Sequence, residues 1–375
     1  MKNKLLLLLI AALPVWGCDK TLLGKEDIII SLEENLQPPK KLDDGWDVSS
    51  MAAENINGKS IKELISQLEN DPRNIHSLLI IKNNKLVAEA YFGGWHRDRL
   101  QSIRSDSKSI TSTLIGIAID KNKINSVQER VFDFFPEYVN LKTPKKNEIR
   151  LEHLLTMTAG LQWDQDSHPP DDPRNDEDQL GKSEDGFRYT LQKDVVNDPG
   201  VRFNYSSGNS DLLTGIIHHR TGMHADMFAE EYLFKPLRIT KYGWTKNKNG
   251  FPNGAYGLYL LPRDMAKIGQ LYLDSGQWKG NQVVSSQWIK KSTQSFIYYP
   301  GSNLSIGYGY QWWTRNWTIN ATNLNTFQAQ GSGGQVICVI PDKKTVIVLT
   351  GNNYDYPQSQ LPFNFLQGYI LPALF

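Results

Sequence analysis

Cysteine is nearly missing: Cys18 and Cys338 are the two in 375 residues. A disulfide-stapled scaffold and a cysteine-rich zinc site are therefore excluded. Charge of one sign is not in excess either. Lys and Arg number 41 against 40 Asp and Glu, a formal charge of +1. Without a basic surplus there is no electrostatic footprint for nucleic acid, and no nucleic-acid partner is expected. No apolar run reaches the roughly 20 residues that a bilayer crossing needs, which argues against a multi-span membrane protein. Hydrophobic residues make up 39% and charged residues 22%, a poor fit to a disordered chain. The Gly-x-Ser-x-Gly elbow, His-Glu-x-x-His and the Walker and dinucleotide glycine patterns are all missing. Their absence argues against the α/β-hydrolase arrangement, the zincin site and the common nucleotide cradles. All seven histidines lie at or before His224. His153, His218 and His219 fall on predicted helices, where surface or packing roles are the default.

The N-terminus reads as a targeting segment. Lys2 and Lys4 form a positive n-region, and Leu5 to Leu13 a short apolar h-region. Val15-Trp16-Gly17-Cys18 then resembles a bacterial lipoprotein cleavage box. Residues 1–17 are expected to be a signal peptide and Cys18 the lipidated first residue. An ordinary secretory signal with an incidental cysteine is the alternative. The protein is accordingly expected to be exported and lipid-anchored to a bacterial membrane, facing the periplasm or the cell exterior. Residues 18–55, with Pro38-Pro39 and mixed polarity, read as a tether. Cys338 lies in the apolar run Val336 to Ile340 and should pack as a small hydrophobe.

The rest, 56–375, reads as one α+β domain. Gly58 to Asn70 is predicted as a helix with Ile61, Leu64, Ile65 and Leu68 on one face. Ser77 to Lys82 and Lys85 to Phe92 are strand-like, and Asn83-Asn84 between them predicts a hairpin. Ser105 to Asp120 is apolar almost all round, the mark of a helix deep in a core. A short helix is expected at Leu151 to Met157, and further helices at Asp211 to His219, Asp226 to Leu233 and Pro262 to Leu273. Residues 164–200 look like a long acidic loop. Strands are predicted at Tyr308 to Thr314, Gln335 to Ile340 and Thr345 to Thr350, with Asp342-Lys343-Lys344 turning the last two. The tail, Pro362 to Leu374, closes as a helix. Strands at both ends imply an antiparallel sheet built from 56–104 and 295–375, flanked by helices, with 105–294 as an inserted helical lobe.

Three constellations could carry chemistry. Ser105-Asp106-Ser107-Lys108 is the one Ser-x-x-Lys in the chain. Positions i and i+3 share a helix face, so Lys108 can place its amine near the Ser105 hydroxyl. A helix N-terminus supplies free N–H groups and partial positive charge. Burial would lower the lysine pKa and make a base of it. The bland alternative is a capped helix with an exposed lysine. The second constellation is Phe203 to Ser210, where Tyr205 precedes a buried helix. Beside an ammonium its phenol pKa would fall, making it a proton acceptor; otherwise it is a packed tyrosine. The third is Gly331-Ser332-Gly333-Gly334-Gln335, where glycines let backbone approach a ligand, or simply make a tight turn.

In order, these stretches resemble the serine β-lactamase and penicillin-binding-protein-like hydrolases. The likeness is to the branch holding class C β-lactamases, family VIII esterases and 6-aminohexanoate-oligomer hydrolases. Arg104 to Thr111 resembles the nucleophile helix of that family, and Leu154-Leu155-Thr156-Met157-Thr158-Ala159-Gly160-Leu161 its "LLTMTSGL" segment. Gly257-Leu258-Tyr259 with Pro262 to Gly269 resembles "GLYLTPRDMAKFG". The resemblance implies a β-lactamase/DD-peptidase-like fold, Ser105 as nucleophile, Lys108 as its base partner and Tyr205 as the Tyr-x-Asn tyrosine. Ser332, Gly333 and Gly334 would stand for Lys-Thr-Gly, and the oxyanion hole would combine the N–H groups of Ser105 and Gln335. Two positions depart: Ser207 stands where relatives carry asparagine, and Ser332 where they carry a cation or histidine. No counterpart of the class A glutamate base is visible. The implied activity is cleavage of a small ester, amide or β-lactam through an acyl-enzyme, with no cofactor and no metal. A penicillin-recognising peptidase or β-lactamase and a non-turnover binding or sensor lipoprotein are the rivals. The acidic run from Asp164 to Asp178 reads as a solvated loop, with a preference for cationic substrates or calcium binding as the alternative, and most of Trp163, Tyr310, Trp312 and Trp313 read as packing.

Overall fold

The computed structural model describes residues 37–302 and 304–375. The leader, Cys18 and most of the tether lie outside the described residues. Nine strands form the main sheet: β1 (Asp47–Val48), β2 (Ile75–Lys82), β3 (Lys85–Tyr91), β4 (Ile297–Tyr298), β5 (Ile306–Tyr308), β6 (Trp313–Ile319), β7 (Thr322–Gly331), β8 (Gln335–Ile340) and β9 (Thr345–Gly351). Their order is β1-β3-β2-β9-β8-β7-β6-β5-β4. Only the β1–β3 pair is parallel. The β2–β9 ladder, from Thr345 opposite Lys82 to Thr350 opposite Ser77, joins the two ends of the chain. The predicted α+β class and the sheet built from both termini are thus what the fold shows.

Seven helices matter for the site: α1 (Gly58–Asn70), α2 (Asp106–Asp120), α3 (Leu151–Leu155), α4 (Asp176–Lys182), α5 (Gly186–Leu191), α6 (Ser207–Thr221) and α7 (Pro262–Leu273). In α1 the four predicted apolar residues are the buried ones. In α2 every residue from Asp106 to Ala118 is buried; the apolar second half packs into the core, and the first half buries polar side chains, Asp106 and Lys108 among them. All of β9 and all but the last residue of β2 are buried. Both faces are covered, so these strands read as continuous apolar runs rather than alternating ones. Leu79, Ile81, Ile337, Val339, Val346 and Val348 share one core with Ile110, Leu114 and Ile268. That core wedges α2 and α7 against the sheet. Helix α7, which the sequence places in the helical lobe, seats directly on the strands. A Cβ on its Gly269 would lie 2.4 Å from Val346 Cγ1.

Several expectations shift. Asn83 and Asn84 both take positive φ (50° and 65°), the turn that two-residue hairpins favour. The predicted strand at 308–314 is two strands, β5 and β6, parted at Gly309–Trp312. Gln311 there has φ 61° and serves as a buried hub. Its N–H reaches Leu155 O at 3.0 Å, its Oε1 accepts from Ser210 Oγ at 2.8 Å and its carbonyl from Ser109 Oγ at 2.6 Å. Four segments thereby share one residue. Strand β7, the longest, has no apolar periodicity in its first half and escapes sequence reading; it is held by ladders on both sides. The acidic "loop" contains α4 and α5, capped by the Asn175 and Asp185 side chains. Helix α6 begins at Ser207, capped by Ser206, four residues before the predicted start.

Gly269→Ala should lower the melting temperature, because overpacking this contact costs about 1–3 kcal/mol. Thermal denaturation followed by circular dichroism checks it, and an unchanged melt would show that α7 can lift from β9 freely.

Candidate functional site

Ser105 sits at the N-terminus of α2, but its side chain makes no capping bond. Lys108, 1% exposed, reaches it instead: Nζ lies 3.1 Å from Ser105 Oγ. Nζ also donates to Ala255 O at 3.1 Å and approaches Ser207 Oγ at 3.4 Å. The Tyr205 ring lies under the amine, 4.8 Å from Nζ to its centroid, and its hydroxyl shares a hydrogen bond with Ser105. The capped-helix alternative is therefore not what the structure shows. Hydroxyl, amine and phenol meet at the mouth of α2.

Neighbouring segments fix each group. Met157, with φ 57°, accepts the Asn204 N–H on its carbonyl at 2.8 Å and the Ser206 N–H on its sulfur at 3.4 Å. Asn204 Nδ2 donates to Trp163 O at 3.0 Å. These bonds clamp Tyr205 from both sides in sequence. The Ala255 carbonyl is aimed by a turn whose Gly254 N–H donates to buried Asp211 at 2.8 Å. Arg104, just before Ser105, has φ 51°, a strained conformation for a residue with a side chain. Its guanidinium donates to Tyr354 Oη at 2.7 and 3.1 Å.

Burial sets the proton affinities. It pulls the Lys108 amine down to about 8, with Glu177, Asp211 and Asp166 opposing. It pushes the Tyr205 phenol well above its ordinary value; the Ser105 hydrogen bond only partly opposes this, and Glu177, Asp166 and Asp106 add to it. The expected fall in the tyrosine pKa does not occur, because desolvation, with three nearby carboxyl groups, outweighs the Ser105 hydrogen bond. Asp211 rises to about 7 by burial.

The third constellation is a hairpin turn between β7 and β8. Gly333 and Gly334 take φ 87° and 94°, which only glycine adopts without strain. Gly331 is the residue that touches the helix mouth: a Cβ there would lie 2.4 Å from Ile103 O and 3.0 Å from Arg104 Cβ. Gln335, expected to offer an oxyanion N–H, sits opposite Gly331 in the ladder. Its buried side chain brackets Gly351, donating to the carbonyl at 2.7 Å and accepting the N–H at 3.3 Å. Among the described residues the N–H groups of Ser105 and Ser332 have no acceptor. Ser207, expected beside the substrate, is fully buried and turns its hydroxyl to Lys108 and Glu177.

A cleft of about 840 Å³ opens over Ser105 and Tyr205. Ser332, Gly333, Gly334 and Gln335 line it. One wall is aromatic and apolar, from Tyr299, Ile306, Trp313 and Phe363. Trp163, Tyr310 and Trp312 are buried packing residues. Asp166, Glu177 and Asp178 also line the cleft, so part of the acidic run faces the site rather than bulk water. Asp176, from the same run, is buried against Lys193 and Tyr189. Sequence reading took Glu177 as one member of the acidic run and did not foresee its bond to Ser207; the one local signal was an Asn cap followed by acidic residues, the mark of a helix start.

The sheet topology, the buried Ser-x-x-Lys helix and the facing tyrosine define a serine hydrolase scaffold of the β-lactamase and penicillin-binding-protein fold. The Beta-lactamase family model matches residues 73–361, and the chain belongs to that family. It is 24% identical to the 6-aminohexanoate-dimer hydrolase of Paenarthrobacter ureafaciens over 72% of this chain and 71% of that one. A solved Bacillus anthracis structure, provisionally described as a 6-aminohexanoate-dimer hydrolase, superposes with a TM-score of 0.71 at 22% identity, covering 94% and 95% of the two chains. The octameric penicillin-binding protein homologue from Pyrococcus abyssi superposes with a TM-score of 0.61 at 22% identity, covering 82% and 76%.

Asp106 follows Ser105 and is fully buried, with neither carboxyl oxygen partnered among the described residues. Burial holds its pKa well above the usual range. The folded state thus binds a proton that the unfolded chain releases above its ordinary pKa, and stability falls as pH rises from there. Asp106→Ala should raise the melting temperature, by a margin that is larger at pH 8 than at pH 5, since an unpartnered buried polar group costs about 1–3 kcal/mol. Equal shifts at both pH values, or a loss, would refute it in thermal melts.

Proposed function

We propose that the protein is a serine hydrolase that cleaves an ester or amide bond through an acyl-enzyme on Ser105. The observation that carries this reading is the 3.1 Å contact between a buried amine and an uncapped serine hydroxyl. With its pKa drawn down to about 8, Lys108 has a substantial neutral fraction near neutrality and accepts the Ser105 proton as the hydroxyl attacks. Tyr205, a protonated phenol at rest, gives its proton to the leaving group while the Lys108 ammonium hands it the proton taken from Ser105, so that phenol and neutral amine are both restored in the acyl-enzyme. The tetrahedral oxyanion takes the free N–H groups of Ser105 and Ser332, the second brought in by the close approach of Gly331. Water then attacks the acyl-enzyme with the same pair as base. The aromatic wall suits an apolar acyl or alkyl chain. Export and lipid attachment through Cys18 complete the reading, supported by the leader pattern.

A second reading, a penicillin-type or peptide substrate, draws support from one feature. Arg104 and Arg315 line the cleft, and neither has a carboxylate partner among the described residues. They offer a cation for a substrate carboxylate where Ser332 supplies none. Acyl-enzyme lifetimes with a chromogenic cephalosporin against a short p-nitrophenyl ester separate the two readings.

Ser105→Ala should abolish turnover and labelling by a fluorophosphonate. Lys108→Ala and Tyr205→Phe should each cost nearly as much, and not additively, because the groups act as a unit. Because the neutral amine is the working form, kcat/KM should rise with pH through about 8. Full activity in Ser105→Ala would refute the proposal.

Gly331→Ala should lower kcat on the order of 100-fold or more, with a smaller change in KM. The added methyl pushes the second oxyanion donor away from Ser105. Steady-state kinetics on a folded variant, verified by its melt, check it; unchanged kcat would remove Ser332 from the oxyanion hole.

A further inference from the structure

Ser207 is the position where relatives in the family resemblance carry asparagine, and the structure shows what replaces the amide. The Ser207 hydroxyl donates to the Glu177 carboxylate, and the Ser207 oxygen lies 3.4 Å from Lys108 Nζ. Glu177 comes from α4, in the acidic stretch, and lines the cleft. The Ser207 backbone N–H is pinned by Gln165 Oε1 at 2.8 Å, which also accepts from Trp163 Nε1 at 2.8 Å. This arrangement does not let the hydroxyl drift.

A neutral amine has two N–H bonds and one lone pair. The Ala255 carbonyl, at 3.1 Å, can only accept, and so takes one N–H. A serine hydroxyl can accept or donate. Left alone, Ser207 could turn its hydrogen onto the amine and occupy the lone pair. With that hydrogen committed to a carboxylate, the Ser207 oxygen is left to accept the second N–H. The lone pair then has one place to point, the Ser105 hydroxyl at 3.1 Å.

Resting on the serine-hydrolase reading above, we propose that Glu177 and Ser207 are a positioning pair that together do the work of the missing asparagine, orienting the Lys108 amine toward Ser105. An asparagine amide keeps acceptor and donors on separate atoms, so it needs no carboxylate to hold its polarity. A serine does. The charge of Glu177 acts on the same amine, alongside Asp211 and Asp166, and all three favour the ammonium over the amine. Tyr205 faces it from the remaining side as a neutral phenol.

The test is a double-mutant cycle on the full chain, with p-nitrophenyl butyrate turnover and fluorophosphonate labelling rates followed across pH. Glu177→Ala should lower kcat about 10- to 30-fold, the scale of one charge-assisted hydrogen bond, with KM changed less than about threefold. In a Ser207→Asn background the same Glu177→Ala change should cost less than about threefold. Glu177→Gln, which keeps the shape of the side chain and removes its charge, should move the rising limb of kcat/KM to lower pH, since the neutral amine becomes easier to form. A purely structural Glu177 would lower activity without moving that limb. Equal costs of Glu177→Ala in both backgrounds, a loss confined to KM, or a limb that stays in place would each overturn the inference. Ser105→Ala runs in parallel. Turnover surviving in that variant overturns the hydrolase reading and this inference with it; a silent Ser105→Ala beside an additive cycle overturns this inference alone.

Discussion

The amine of Lys108, held out of water beside a serine hydroxyl, is the constraint that the rest of the site serves. Desolvating an ammonium is expensive, and the chain meets that cost in part by letting the group lose its proton. Three nearby carboxyl groups limit how far this goes. An amine drawn down to about 8 lies close enough to neutrality to serve as a base and be restored afterwards. Burial also demands partners, and each partner comes from a different segment: α2 supplies Ser105, α6 supplies Ser207, and the 254–255 turn supplies a carbonyl. Removing α2 from the core would therefore dissolve the site as well as the packing. The helix that carries the chemistry and the helix that fills the core are the same.

That dependence explains why so many of the fixing contacts are backbone contacts at unusual conformations. Met157, Arg104 and Gln311 are all non-glycine residues at positive φ, and all three adjoin or hydrogen-bond to the segments that carry Ser105, Lys108 and Tyr205. Strained backbone persists where surrounding structure over-determines it. Here the over-determination is visible: Gln311 is tied to α2, α3 and α6 at once, and Met157 takes hydrogen bonds on both its carbonyl and its sulfur. Helix α2 carries Ser105 and Lys108, the segment before α6 carries Tyr205, and the sheet and α7 hold these parts in place.

The parts of this legible in the sequence are those where local pattern and tertiary role coincide. Helix α1 and the Asn83-Asn84 hairpin follow from periodicity and turn chemistry, and α7 from its proline start and apolar face. Ser105 and Lys108 were legible as a pair because their spacing puts them on one helix turn, and Tyr205 joined them through the family resemblance. Three features were not. Strand β7 has Asn and Thr where a strand ordinarily carries apolar alternation, and only its neighbours make it a strand. Glu177 lies in a stretch whose composition reads as solvated loop, and nothing local shows that α4 turns it inward. That the hairpin closes on the helix mouth at Gly331 rests on its contact with Ile103, some 230 residues away in sequence.

The direction in which burial moves the two protons decides what the pair can do. Desolvation disfavours whichever form is charged, so it lowers an ammonium and raises a phenol. Both groups are thereby pushed toward neutrality, and the ordinary order of a tyrosine and a lysine, which differ little in water, is pulled apart in the site. At neutral pH the phenol keeps its proton, and of the two the amine is the one whose charged form is easier to neutralise. Had the ammonium prevailed over burial, as an isolated view of the pair suggests, the tyrosine would have been the base and the lysine a fixed charge. The acidic wall adds to burial at one group and opposes it at the other: Glu177 and Asp166 raise the cost of a phenolate and keep the amine from falling further. A coupled pair titrates as a unit, but its two members are not interchangeable here. In the proposed reaction that difference assigns the phenol to the leaving group and the amine to the nucleophile.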